Sequence, residues 1–536
     1  MPLTRRQFLH MSGLAAAYAA LPGWLAACAR ADAVPAAATL AQPDTWAAPA
    51  SAMLDAALLH LLNRITYGPR PGELQRVAAL GYDQFLEQQL HPETIDDAAL
   101  ERRLAAFPSL AMSNAQRLRA YPPKKQAGDP PAAGPPQQMI AELEAAALLR
   151  AIFSERQLLE IMVDFWSNHL NIYIGKNQVK WFKTSDDRDV IRPHALGTFR
   201  DLLLASAKSP AMLIYLDNAR NVAPGARRGG KGMAGINENY AREVMELHTV
   251  GVDGGYTQDD VTAVARTLTG WTIGRPGSPE AGAFIFVERL HDRGEKRIGF
   301  LELSFPAGGG MAEGEELLVR LASHPKTADR LAHKLAAAFV ADDPSPALVA
   351  RAAQTYLQSS TDIRATLAVI LRSDEFRAAA GQKIKLPLRM LVSSLRALGA
   401  EVSDHTPLLQ TLRLLGQPFF GWAAPNGYPQ TGAAWVNSGA MLVRWNTAFA
   451  LAAGRLRGVA ADLNRLVPEG ATAGALVDAV AGGLLHAPLP VDARAPLVEY
   501  ASDGRGEAAR LEAAARAHKL AGVAGLILAS PVFQVH

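Results

Sequence analysis

Cysteine is almost absent from the sequence: there is one, at position 28. A single thiol makes no internal disulfide, no CxxC redox pair and no Cys-rich zinc site. A surplus of one charge sign is lacking as well. The 54 Lys and Arg stand against 51 Asp and Glu, a formal net charge of +3. That is too little for a surface that tracks a phosphate backbone, so no nucleic acid is expected as a partner. There is no HExxH zinc helix and no GxSxG nucleophile elbow. Gly225–Gly232 approaches a phosphate loop, but Gly232 stands where a Ser or Thr must hold magnesium, so it reads as a basic surface loop. Long apolar runs are missing too. Met11–Leu21 is short and suits the hydrophobic segment of a signal, and Leu520–Phe533 suits a buried helix.

What is present begins with an address. Thr4-Arg5-Arg6-Gln7-Phe8-Leu9 reads as a twin-arginine export signal, with Arg5 and Arg6 as its pair. Leu25-Ala26-Ala27-Cys28 resembles a lipobox, in which Cys28 is acylated and becomes the new N-terminus. Ordinary cleavage near Ala31 or Ala33 is the alternative. The expected location is therefore outside the cytoplasm, in the periplasm or cell envelope, with membrane attachment through the N-terminal lipid. Residues 1–28 form the signal, and the Ala/Pro-rich stretch 29–50 forms a tether. Residues 51–536 are expected to be a single large α-helical domain, interrupted by a Pro-rich loop at 121–137.

The 536 residues are 49% hydrophobic and 20% charged, enough for a large core. Apolar periodicity predicts helices from Met53, over 71–80 and after Asp83. One long helix is expected from Gln138 through Phe153 to Trp166, with further helices including 195–207, 237–250, 257–270, 325–340, 386–399, 437–454 and 508–528. Ala283–Val287 and Lys296–Phe300 flank a polar turn and read as one hairpin. The fold class is mainly α, a large multi-helical globular domain with a small β-hairpin.

Polar groups concentrate in a few segments. In 160–171, Glu160, Asp164 and Asn168 are i, i+4 neighbours on one helix face, with His169 beside it. In 237–248, Glu238, Arg242 and Glu246 form an ion-pair ladder, while Asn239 and Glu243 share another face. Ile191-Arg192-Pro193-His194 leads into a third helix. Asp164, His169, His194 and Glu243 are the candidates for acid/base catalysis, because titratable groups from separate helices can converge in a helical core. Glu246, His248 and His169 are the candidates for a divalent metal, the one cofactor the residues suggest. A Glu-x-x-His di-iron motif is disfavoured, since Glu246 and His248 lie roughly 200° apart on a helix. A hydrogen-bonded network that fixes helix packing explains the same residues without chemistry. His291-Asp292 at the hairpin turn is either a turn device or a site. Thr257 and Asp260 resemble a capping box. The aromatic loop 417–429, with Trp422 and Tyr428, either stacks a ligand ring or packs over the core.

Taken together, HLLNRITYGPRPGEL, MVDFWSNHLNIYIGK, IRPHALGTFRDLLLASAKSPAMLIYLDN, NENYAREVMELHTVGVDGGYTQDDVTAVARTLTGWTI, the His291-Asp292 turn, HPKTADRLAHKL and GQPFFGWAAPNGYP resemble the large bacterial family called domain of unknown function 1800, from about residue 54 to the C-terminus. The resemblance implies export, often by twin-arginine signals. It also implies gene neighbourhood with a sulfatase-like exported family, and so a sulfatase-like exported partner. It supplies no reaction and no site residues. Two functions stay open: a metal-dependent or hydrolytic enzyme of the envelope, and a non-catalytic, lipid-anchored binding or assembly protein acting on surface polysaccharide or an envelope complex.

Overall fold

The structure is a computed structural model that describes residues 50–122, 134–226, 235–275 and 277–536. Arg5, Arg6, Cys28, the tether, most of the Pro-rich loop and most of Gly225–Gly232 lie outside the described residues. The principal helices are α1 (Ala50–Ile65), α2 (Pro136–Phe153), α3 (Gln157–His169), α4 (Phe199–Lys208), α5 (Asn239–Glu243), α6 (Gln258–Thr267), α7 (Met311–Ala322), α8 (Pro325–Phe339), α9 (Pro346–Gln358), α10 (Ile363–Leu371), α11 (Pro387–Ala397), α12 (Ser438–Ala452), α13 (Ala473–Leu485), α14 (Val491–Ser502) and α15 (Ala513–Ala529). Among the described residues the β structure consists of three two-stranded antiparallel ribbons, so the fold is mainly α with small hairpins. Among the described residues no helix is long and apolar enough to cross a membrane.

Helix α8 shows how the sequence makes these elements. His324 caps it by accepting the Lys326 N–H, and Pro325 takes the first position, where no donor is needed. Ala328, Leu331, Ala332, Leu335, Ala336 and Phe339 then recur on one face, and all are buried. That face packs on α9, which packs on α10. Near the C-terminus, α12, α13 and α14 pack around α15. One continuous apolar cluster runs from Leu58 to Phe533, with a small satellite of Leu100, Leu104, Ala146 and Leu149.

Two expectations need correction. The single helix over 138–166 is two helices. After Phe153 the chain turns out at Ser154, and Asp97 accepts from the Ser154 hydroxyl at 2.7 Å and the Glu155 N–H at 3.0 Å. The Gln157 amide donates to the Ala151 and Ser154 carbonyls, so the ends left by the break are satisfied by side chains. Apolar periodicity runs through the break and conceals it. The hairpin is also paired differently. β1 (Trp271–Ile273) pairs with β2 (Phe284–Phe286), and β3 (Lys296–Ile298) pairs with β4 (Leu303–Phe305). The two predicted strands thus belong to separate ribbons. Trp271 and Leu303 are the partners that periodicity did not mark as strand. A smaller shift occurs at α4, which starts at Phe199 because Thr198 caps it by accepting the Asp201 N–H.

Candidate functional site

Helix α3 sends its polar residues to different places. Glu160, at its start, forms a two-pronged pair with Arg192 at 2.9 and 2.9 Å, and Arg192 also reaches Asp187 at 2.9 Å. Asp187 and Glu160 are buried and Arg192 nearly so. Burial pushes the Asp187 carboxyl up, but Arg192, Arg150 and Lys183 outweigh it and hold it below the usual range. This ion cluster ties α3 to the π-helical turn Asp186–Ile191 and reads as structural.

One turn further on, Asp164 faces a cavity of about 60 Å³ whose polar wall is Tyr67, Asp164, Lys383, Arg389, Gln417, Gln430 and His536. Among the described residues, neither the Asp164 carboxyl nor the Tyr67 hydroxyl hydrogen-bonds to another protein group. Burial pushes the Asp164 carboxyl up to about 6, and Arg389 pulls it only partly back. Arg389 spends one nitrogen, Nη1, on the carbonyls of Asn63, Arg64 and Thr66, which fix its position between α11 and the end of α1. Because the Asn63 carbonyl can only accept, His536 donates to it through Nδ1 at 3.0 Å, which leaves its Nε2 as an acceptor. Burial beside Arg389 and Arg64 keeps this imidazole neutral.

Asn168 and Asn171 anchor the aromatic loop above the cavity. The Asn168 side chain accepts from the Tyr428 N–H at 2.7 Å and donates to the Tyr428 carbonyl at 3.0 Å. Asn171 donates to the carbonyls of Trp422 and Ala424 at 3.0 and 2.7 Å. Gly427, at φ 73°, fits here because a Cβ would stand 2.3 Å from the Asn168 carbonyl oxygen. Trp422 packs on Tyr428 with ring centroids 5.0 Å apart, and its N–H donates to Asn426. Tyr428 is buried and donates to the Pro418 carbonyl. The loop is therefore a clamp over the end of α3, and Gln417 at its start and Gln430 just after its end complete the cavity wall.

His169 turns away from this cavity. Its Nε2 donates to the His248 carbonyl at 3.0 Å, so Nδ1 is the acceptor, and it receives the Lys334 ammonium at 2.8 Å. Burial, with Lys334 and His248 adding to it, holds His169 neutral. Burial and Arg330 bring Lys334 down to about 8. His248 lies on a π-helical turn, Val244–His248, that continues α5. It is fully buried, neither ring nitrogen has a hydrogen-bond partner among the described residues, and burial takes it down to about 3. Glu243 is half-buried, and burial and Glu246 raise its carboxyl. Glu246 joins Glu238 around Arg242 at 3.4 and 3.5 Å, the expected ladder. Among the described residues, no three His, Cys, Asp or Glu side chains stand together as a metal-holding group. His169 and His248, 79 positions apart in sequence, have ring centroids 6.3 Å apart.

The remaining candidates have local partners. His194 accepts no distant group: its Nδ1 donates to the Val190 carbonyl one turn back at 2.7 Å. Buried His291 donates to the Thr269 carbonyl at 2.9 Å and meets Glu313 at 3.2 Å, where Lys296 also pairs at 2.8 Å. Asp292 holds Arg266 at 2.8 and 3.2 Å. These contacts lock the segment between β2 and β3 onto α6 and α7. Thr257 and Asp260 form the capping box, complete in both directions. The residues missed from sequence are Arg389, Lys383, His536 and Lys334. Only Lys334 lay within a motif quoted for the family resemblance, and no spacing links any of them to α3.

The fold and the cavity define a helical protein with a carboxyl–guanidinium centre under an asparagine-clamped loop. The chain belongs to the family described as Protein of unknown function (DUF1800), whose model matches residues 60–535. No curated protein and no solved structure matches it.

Proposed function

We propose that the chain is a hydrolytic enzyme of the cell envelope and that Asp164 is its proton-transferring group. One observation carries this reading: a carboxyl poised near 6 lines a cavity with no protein partner for its oxygens. A structural carboxylate in a helical core is paired, as Glu160 and Asp187 are. An unpaired one facing a cavity with a shifted pKa is suited to acid/base work. In hydrolysis, ionised Asp164 accepts a proton from water as the water oxygen bonds to the scissile centre. It then passes that proton to the departing oxygen or nitrogen, which regenerates the carboxylate. Arg389 stabilises negative charge that develops on the attacked group. The reading needs no metal. Export through Arg5 and Arg6 and lipid attachment at Cys28 belong to the same proposal and would put this chemistry at the outer face of a membrane.

The test is a screen of the mature chain against chromogenic esters, glycosides, amides and phosphate esters between pH 4 and 9, repeated with Asp164→Asn. The expected result is an activity that rises with a midpoint near 6 and falls at least about 100-fold in the variant. Activity that survives in Asp164→Asn contradicts the assignment.

A further inference from the structure

Two cations, Lys383 and Arg389, line the Asp164 cavity. Arg64, Lys385 and Arg444 lie buried behind that lining, Arg64 and Lys385 within electrostatic reach of Arg389, and Asp342 and Asp164 are side-chain carboxylates that act on Arg64 and Arg389. Asp342 is spoken for: it takes Lys383 and the Gly432 N–H. Burial disfavours the ionised form of Asp164. The remaining cations are satisfied only in part. Arg64 reaches two carbonyls, of Phe339 and Ala379, and its Nε has no acceptor. Arg444 is fully buried, reaches the Gln534 side chain through Nη1, and leaves Nε and Nη2 without acceptors. Lys385 rests its ammonium on the Phe533 ring at 3.8 Å. Buried charge without a counter-charge is costly, so the positive field of these groups at the Arg389 end of the cavity favours an anion there.

The cavity sets the size of that anion. About 60 Å³ is far below the roughly 300–1,000 Å³ of a site that encloses a whole small-molecule ligand. It matches about two water volumes, the size of a carboxylate or a small tetrahedral oxyanion. Arg389, with one nitrogen committed to carbonyls, keeps the rest of its planar fork for an oxyanion, the geometry guanidinium groups favour. The amides of Gln417 and Gln430 line the same space.

We propose that the Arg389 end of this cavity is an oxyanion subsite, which holds a carboxylate or phosphate carried by the substrate beside Asp164. This rests on the proposed function for the identity of the bound molecule as substrate, and on the cation cluster alone for the binding. The substrate is thus an acidic molecule that enters by its charged end, and its larger part lies outside, against the aromatic loop.

The full chain is titrated by calorimetry with inorganic phosphate and, separately, with acetate, at pH 5 and pH 8. The expected result is saturable 1:1 binding of at least one anion, weakened at least about tenfold in Arg389→Gln. Because Arg389 also braces α1, the second variant is Asp164→Asn, which removes the repelling charge. It should bind the anion at least about tenfold more tightly than the parent at pH 8 and equally at pH 5. Preference for phosphate over acetate, or the reverse, identifies the head group. Absence of saturable binding of both anions, or an Asp164→Asn chain no tighter at pH 8, overturns the subsite. Tighter anion binding in an Asp164→Asn chain that still hydrolyses its substrate keeps the subsite and removes Asp164 as the proton carrier.

Discussion

Asp164 and Asp187 respond to burial in opposite ways. Asp187 is surrounded by Arg192, Arg150 and Lys183, and its carboxyl stays below the usual range. Its ionised form therefore stabilises the fold above the ordinary carboxyl range, and that contribution is lost as pH falls through its depressed folded value. Asp164 has only Arg389 to offset burial, and its carboxyl rises to about 6. The folded chain holds this proton more tightly than the unfolded chain. Stability is greatest below the ordinary Asp value and declines as pH rises from about 4 to about 6. Asp164→Asn mimics the protonated acid, so it should raise stability at pH 8 by on the order of 2–3 kcal/mol and leave it unchanged at pH 4, read by urea unfolding at both pH values. Arg192→Met should do the reverse. It leaves Glu160 buried without its partner and Asp187 with Arg150 at 3.7 Å, and should cost about 3–5 kcal/mol at pH 7, with the loss shrinking in acid.

Among the elements, the clamp over α3 decides whether the cavity exists. Asn168 and Asn171 hold the loop through four hydrogen bonds to its backbone, and Gly427 lets the two chains touch. Gly427→Ala meets both a left-handed backbone and the Asn168 carbonyl, so it should destabilise by about 2 kcal/mol or more and expose Tyr428. Tyrosine fluorescence quenching by iodide would report the exposure. The sequence already showed the polar face of α3, the Arg242 ladder and the Thr257–Asp260 capping box, because each depends on neighbours three or four residues apart. What lay hidden comes from long range. Lys334 reaches His169 across 165 positions, and Arg389 reaches Asn63 across 326. The break at Ser154 depends on Asp97, 57 residues away. The π-helical turn at Val244–His248 has no periodic signature over five residues.

At the scale of the whole molecule, the family match covers nearly all of the helical body, and one apolar cluster runs from Leu58 to Phe533. The cavity draws its wall from the start, the middle and the end of the helical body, from Tyr67 to His536, so the site is a product of the complete fold. The proposed export and lipid attachment rest on the first residues. If Cys28 carries lipid, Cys28→Ala should move the exported chain from the membrane fraction to the soluble fraction of the envelope, checked by fractionation and by incorporation of labelled palmitate. An unchanged membrane fraction would point away from the lipid anchor.

Asp164 is the claim on which the functional account turns, and its titration can be observed without a substrate. The measurement is a carbon-13 carboxyl NMR titration of aspartate-labelled protein from pH 3 to 9, with Asp164→Asn identifying the resonance. The account predicts a signal absent from the variant with a midpoint near 6. A midpoint at or below the ordinary aspartate value of about 4 would contradict it, because Asp164 would then be an ionised partner of Arg389 with no proton to give at neutral pH.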